Sequence, residues 1–147
     1  MKSSNKAITI VNADGLILGR MASKIAKRLL TGEEIVVVNA EKAVISGRKG
    51  NKVTEAKEFL AVGGVGRGPF HHRRPDGVVR KTVKGMLPFK QPKGRQAYKN
   101  LKVFIGIPED LKNQKMETVA DAQSQRLKCA YFTVGEFSRE IGWNQGE

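Results

Sequence analysis

The sequence of 147 residues contains one cysteine, two histidines, one tryptophan and no long apolar run. Its single cysteine, Cys129, cannot form an internal disulfide, and it excludes a zinc site built on paired cysteines. No stretch approaches the roughly 18 consecutive apolar residues of a membrane-spanning helix. The apolar run from Ala7 to Val11 is too short for the core of a secretory signal peptide, so the sequence predicts a cytosolic protein.

Acidic residues are scarce in the middle of the chain. The whole chain has 27 lysines and arginines against 14 acidic residues, which gives a formal net charge of +13. Residues 65–102 hold eleven of these basic residues and a single acidic one, Asp76. A block this cationic favours a polyanionic partner. Nucleic acid is the first candidate, because neutralising phosphates releases counterions, and an anionic membrane surface is the second.

The sequence carries no recognisable motif for catalysis, nucleotide binding or metal binding. The glycines of the middle segment fail the dinucleotide pattern because Pro69 or His71 stands where its last glycine is needed, and Asn51 stands where a P-loop needs lysine. His71 and His72 lack the two further ligands that zinc requires. We therefore expect no catalytic residue, no metal and no cofactor. The two histidines are interpreted as loop imidazoles that stack on bases or hydrogen-bond to phosphate or ribose.

Hydrophobic periodicity predicts alternating strands and helices, and hence an α/β domain with a mainly parallel sheet. Apolar residues recur at three- and four-residue steps between Leu18 and Leu29, which predicts a helix. Asn51 and Asp76 are expected to cap two further helices, and residues 117–127 are expected to form another. Short helices are predicted over 96–100 and 136–141, and strands over 7–12, 35–38, 43–45, 103–107 and 130–134.

The basic residues of the middle segment are interleaved with aromatic side chains. Arginines offer paired donors to phosphates, lysines add point charges, and aromatic rings can stack on unpaired bases. We therefore expect a single domain over residues 1–147, in which residues 63–102 form a basic segment that contacts nucleic acid. The main candidate residues for this binding are Arg67, His71, His72, Arg73, Arg74, Arg80, Lys81, Lys84, Lys90, Lys93, Arg95 and Lys99. A weaker set comprises Arg20, Lys24, Lys27, Arg28, Arg48, Lys49 and Lys52.

Two other classes of protein stay open at this point. An RNA-processing or RNA-modifying enzyme would share the basic segment, and His71 and His72 would be its only candidate chemistry. A peripheral membrane protein would use the basic face of the first helix, but the apolar side of that helix is needed for the core.

Five runs along the chain carry a family resemblance: LGRMAS at 18–23, VVNAEK at 37–42, RGPFHHRRP at 67–75, VKGMLP at 83–88 and LKVFIG at 101–106. Their content and order resemble the universal large ribosomal subunit protein 13 family. The third run is similar to the archaeal and eukaryotic branch, and the ending, from Tyr131 to Trp143, is similar to short archaeal members.

The resemblance implies a non-enzymatic, cytoplasmic protein of the large ribosomal subunit. Its partners would be large-subunit ribosomal RNA and neighbouring ribosomal proteins, with no membrane and no small-molecule substrate, and it would support subunit assembly and translation. The family fold is a three-layer α/β/α domain around a mixed, mostly parallel sheet of four strands, with residues 63–102 against RNA. Met86 and Leu87 are expected to anchor that segment, while Gly85 and Pro88 set its turn.

Overall fold

A parallel sheet of four strands forms the centre of the structure, a computed structural model that describes residues 7–66, 68 and 70–144. The strands of the chain are β1 (Ile8–Asn12), β2 (Glu34–Val38), β3 (Val44–Ser46), β4 (Leu101–Val103), β5 (Met116–Glu117) and β6 (Tyr131–Thr133). The central sheet has the order β4-β2-β1-β5, and every pair in it is parallel. β3 and β6 pair antiparallel as a separate ribbon.

The described residues form five α-helices. They are α1 (Leu18–Leu30), α2 (Lys49–Ala61), α3 (Pro75–Met86), α4 (Pro92–Lys99) and α5 (Val134–Glu140). One face of the sheet shares a core with α1, α3 and α4. The other face packs against the segment that carries the single helical turn Glu109–Leu111. The α/β class and the three-layer arrangement are therefore confirmed, with one outer layer thin and the main sheet wholly parallel.

Helix α1 forms where its apolar spacing predicts. Its buried residues recur at three- and four-residue steps, which makes one continuous apolar stripe along the helix. Helix α3 packs on α1 through Val79 and Val83, whose side chains are fully buried in the same core. Because these two residues are four apart, α3 presents one face to α1 and leaves the opposite face to solvent.

Side-chain hydrogen bonds connect the ends of β1 and β2. Asn39 follows β2 in the left-handed conformation, with φ of 56°, which asparagine tolerates better than most residues. Its Nδ2 donates to Oδ1 of Asn12 at 3.0 Å, and the same oxygen accepts from the Asp14 amide at 3.0 Å. Nearby, the Gly106 amide donates to Oε2 of Glu41 at 2.9 Å. The VVNAEK run thus braces the strand ends.

The expectation that Met86 anchors the basic segment is wrong. Met86 is 43% exposed, whereas Leu87 is 6% exposed and belongs to the core. Helix α3 ends at Met86, and the backbone of Leu87 is already extended. This change of direction at the helix end turns the Leu87 side chain inward and leaves Met86 at the surface.

The two expected helix caps are also wrong. Helix α2 begins at Lys49, before Asn51, and Arg48 occupies its capping position. Helix α3 begins at Pro75, which needs no backbone N–H and suits the first helical position. Asp76 therefore lies inside the first turn, where its Oδ1 accepts from the Gly77 amide at 2.8 Å.

Three further segments differ from the periodicity-based prediction. The predicted helix over 117–127 is instead strand β5 followed by single helical turns at Ala120–Ala122 and Ser124–Arg126. Strand β4 starts two residues earlier than predicted, because Leu101 and Val103 are the buried pair that faces the core. Helix α4 covers 92–99 rather than 96–100, because Pro92 starts it.

Gly94 of α4 lies in direct contact with the turn that precedes the helix. A Cβ on this residue would overlap the carbonyl group of Pro88. Gly85 of α3 is the natural comparison, because a Cβ there would meet no atom within 4 Å.

We therefore predict opposite effects for two glycine-to-alanine changes. Gly94→Ala should lower the free energy of unfolding by about 2–3 kcal/mol, because the turn must move to relieve the overlap. Gly85→Ala should raise it by about 0.5–1 kcal/mol, because alanine restricts the unfolded chain and favours the helix. Urea denaturation of both variants measures the difference, and equal midpoints would contradict the close packing of Gly94.

Candidate nucleic-acid interface

The exposed face of α3 carries a stripe of cations. Arg80 and Lys84 are four residues apart and exposed, and they flank the buried Val79 and Val83. Helix α4 places Tyr98 beside them. The Arg80 guanidinium carbon lies 5.2 Å from the centre of the Tyr98 ring, and the Lys84 ammonium nitrogen lies 5.9 Å from it.

Aromatic rings rather than carboxylates hold these cations. Lys84 Nζ lies 4.3 Å from the centre of the Phe89 ring, and Phe89 meets Tyr98 edge to face at 5.7 Å. Lys81 Nζ lies 5.2 Å from the Phe59 ring. Within 7–66, 68 and 70–144, none of the three α3 cations forms an ion pair. A ring orients a cation without neutralising it, so these charges remain available to an external anion.

We call this surface the basic–aromatic face. It comprises the exposed side chains of α3, of α4 and of the turn between them. An open groove of about 680 Å³ runs along it. The groove has a mainly apolar floor rimmed by lysines, and it is lined by Lys81, Lys84, Gly85, Leu87, Pro88, Phe89, Lys90 and Gln91.

Arg95 braces the turn that joins α3 to α4. Its Nε donates to the carbonyl of Phe89 at 3.1 Å, and its Nη2 donates to the carbonyl of Lys90 at 3.2 Å. These hydrogen bonds hold the turn in place, and with it the Phe89 ring that contacts Lys84. Lys93 and Lys99 are exposed on the same helix, without an ion pair in the described part of the chain.

The segment that leads into α3 contains the remaining members of the main candidate set. The His71 ring packs against Phe59 at a tilt of 41°, with centroids 4.3 Å apart, and the His72 ring packs against Gly77. Arg73 is exposed and lies against Gly142. Arg74 Nε lies 3.4 Å from Oδ1 of Asp76. Arg67 lies outside the described residues.

Acidic partners distinguish the weaker candidate set from the main one. Among residues that the structure describes, Arg74 is the only member of the main set with an ion pair. Four of the seven weaker candidates have one, while Arg20, Lys27 and Arg48 have none within the part of the chain that the structure describes. The pairs are Lys24–Asp121 at 3.6 Å, Arg28–Glu33 at 2.8 Å with Arg28–Glu117 at 3.1 Å, Lys49–Glu140 at 3.6 Å and Lys52–Glu55 at 4.0 Å.

Arg28 is the most strongly engaged of the paired cations. It joins α1 to Glu33, which precedes β2, and to Glu117 of β5. Partial burial by itself would lower the Arg28 pKa, but the hydrogen bonds and charges of the two glutamates outweigh it and raise the pKa. Arg28 therefore stays charged and ties the helix to an edge of the sheet.

The described residues also bear on a metal site and on a membrane span. Across the described ranges, histidine, cysteine and acidic side chains form no group of three that could hold a metal ion. The helices described there are each too short or too polar to cross a bilayer.

Sequence reasoning missed Phe59, which lies beside this face. Phe59 of α2 is 53% exposed and contacts both His71 and Lys81. These contacts cross from α2 to α3 and to the segment before it. No local pattern signals them, because periodicity describes one helix at a time.

The sequence is similar to proteins of one known family. Residues 6–110 match the family model of ribosomal protein L13. The chain belongs to the ribosomal protein L13 family. It is 45% identical to "Large ribosomal subunit protein uL13" of Methanosarcina barkeri over 92% of this chain and 98% of the relative. The proteins of the same name from Archaeoglobus fulgidus and Methanocaldococcus jannaschii are 45% and 44% identical, over 97% and 92% of this chain and 93% and 98% of theirs. The recognised family and its archaeal type are confirmed.

We predict that Arg28 of this L13-family chain acts in stability. Arg28→Gln should lower the free energy of unfolding by about 1 kcal/mol, because two partly exposed carboxylates lose their shared partner. Lys27→Gln, next to it on α1 and without an ion pair in the described coordinates, should change stability by less than about 0.5 kcal/mol. Thermal unfolding of both variants measures the difference, and equal melting temperatures would refute the role assigned to the Arg28 pairs.

Proposed function

We propose that this protein is a structural constituent of the large ribosomal subunit that binds large-subunit ribosomal RNA. It supports subunit assembly and translation by binding, not by catalysis, and acts on ribosomes in the cytoplasm. The observation that carries the proposal is membership of the ribosomal protein L13 family, together with relatives named as large-subunit proteins that match nearly the whole chain.

The charge distribution supports RNA as the partner. The basic–aromatic face combines aromatic rings with cations of α3 that have no carboxylate partner among the described residues, and this combination binds phosphates and unstacked bases. The face lies within residues 63–102, which hold a single acidic residue, Asp76. Helices α3 and α4 pack on the core, so the part of the surface that they carry is formed before RNA binds.

Helix α2 supports a role inside a larger assembly. Val53 is the only buried residue among its thirteen. A helix this exposed gains little stability from packing on the core. It therefore suits a surface that RNA or neighbouring ribosomal proteins cover. Arg48, Lys49 and Lys52 lie at its start and form a secondary contact in this proposal.

Sedimentation of native lysate tests the assignment directly. The chain should travel with the large subunit through a sucrose gradient and stay there through a moderate salt wash. A chain that stays at the top of the gradient at low salt would overturn the ribosomal assignment and would direct attention to a separate RNA substrate and an activity.

We predict that the arginines before α3 contribute phosphate contacts. With six to ten contacts in all, log affinity for ribosomal RNA should fall against log salt with a slope of about −5 to −9. Replacing Arg73 and Arg74 with alanine should weaken binding and flatten that slope by about 2, with the melting temperature little changed.

The matched control replaces Lys112 and Lys115 with alanine, which removes the same charge outside the basic segment. This control should leave the slope unchanged, apart from a small loss of overall affinity. A large fall in melting temperature with an unchanged slope in the arginine variant would show that Arg73 and Arg74 serve the fold instead.

A further inference from the structure

A small cavity opens between α3, α4 and the segment that leads into α3. Its volume is about 190 Å³, and its lining side chains are Phe70, His71, His72, Lys81, Lys84 and Tyr98. Four of these are aromatic rings and two are ammonium groups, and no acidic side chain is among them. This lining is typical of a site for a planar heterocycle that carries a negative charge.

The walls of the cavity are held by neighbours that do not line it. The His71 ring packs at a tilt against Phe59 with centroids 4.3 Å apart, and the His72 ring fits against Gly77, where a Cβ would come within 2.8 Å of the imidazole. Tyr98 packs against the core and is met edge to face by Phe89. Rings fixed in this way lose little freedom when a ligand arrives.

The two ammonium groups of the cavity are also positioned in advance. Lys84 Nζ lies 4.3 Å from the Phe89 ring and 5.9 Å from the Tyr98 ring, and Lys81 Nζ lies 5.2 Å from the Phe59 ring. Both lysines also line the open groove, so they stand between the cavity and the groove. A phosphate bound there would lie at the mouth of the cavity and on the path of the basic–aromatic face.

We propose that this cavity receives one unpaired nucleotide of the bound RNA. The base lies against the rings of His71, His72 and Tyr98, and its phosphate lies on Lys81 and Lys84. The cavity has a volume of about 190 Å³, and a base can stack on its rings only when that base is not stacked inside a duplex. The inference rests on the RNA binding proposed above and adds to it a subsite that an uninterrupted duplex cannot fill.

Two RNA hairpins that differ at one position test the proposal on the full chain. One contains a single bulged 2-aminopurine, and the other pairs every nucleotide of the stem. The protein should bind the bulged hairpin about fivefold to a hundredfold more tightly, the usual gain from stacking one base on aromatic side chains. The fluorescence of the bulged base should change on binding, because its stacking environment changes.

Variants of the cavity then show whether the rings are responsible. Tyr98→Leu and His71→Gln each remove a ring, and each should weaken binding of the bulged hairpin severalfold more than binding of the paired hairpin. Tyr98→Phe keeps the ring and should retain the preference. Phe104→Leu removes an exposed ring outside the basic segment and should also retain it. His71→Gln keeps the test decisive if loss of the Tyr98 ring disturbs folding.

The outcomes separate the two proposals. If both hairpins bind equally and with the expected salt slope, the nucleotide subsite is refuted while RNA binding by the basic–aromatic face stands. If the ring-removing variants weaken both hairpins equally, the rings serve the fold and the subsite is again refuted. If the unaltered protein binds neither hairpin, the result counts against the RNA binding proposed above and refutes the subsite that rests on it.

Discussion

The packing of α3 on α1 is the contact on which the basic–aromatic face depends. Val79 and Val83 are fully buried against α1, and the helical repeat then forces Arg80 and Lys84 outward. A stripe of cations would repel itself in a mobile loop, but here the apolar contact behind it offsets that repulsion. Leu87 and the Gly94–Pro88 contact extend the same anchor to the turn and to α4. The interface is thus a surface property that the core maintains.

The acidic residues pair with cations of α1 and not, within the described residues, with those of α3. Glu33, Glu117 and Asp121 face the basic side of α1, where they convert two of its cations into ties to the sheet edge and the neighbouring loop. The cations of α3 meet rings instead. A carboxylate lowers the local potential, whereas the face of a ring orients an ammonium group and leaves its charge unchanged. The cations of α3 therefore keep their positive charge at the surface beside α4.

The α/β class, the helix over 18–30 and the continuous apolar strand β2 follow from local pattern, because periodicity and β-branched runs record which side of an element is buried. The expected helix over 117–127 is wrong, because this polar segment forms strand β5 at the edge of the sheet and then two single helical turns. Met86 and Leu87 also show that a local sequence pattern does not decide which side chain is buried. Both are apolar and adjacent, and only the end of α3 decides which of them enters the core.

The sequence by itself determined the sign and place of the charge and the family, and it indicated a polyanionic partner, because composition and linear order are enough to specify an electrostatic character. Tertiary structure alone decided which cations are neutralised, since Arg28 and Glu117 are far apart in the chain and meet only when β5 joins the sheet. It also brought Phe59 to His71 and Lys81, and it enclosed the small cavity between α3 and α4. Contacts between elements depend on how helices pack across a shared core, and this information is not contained in the pattern of any single segment.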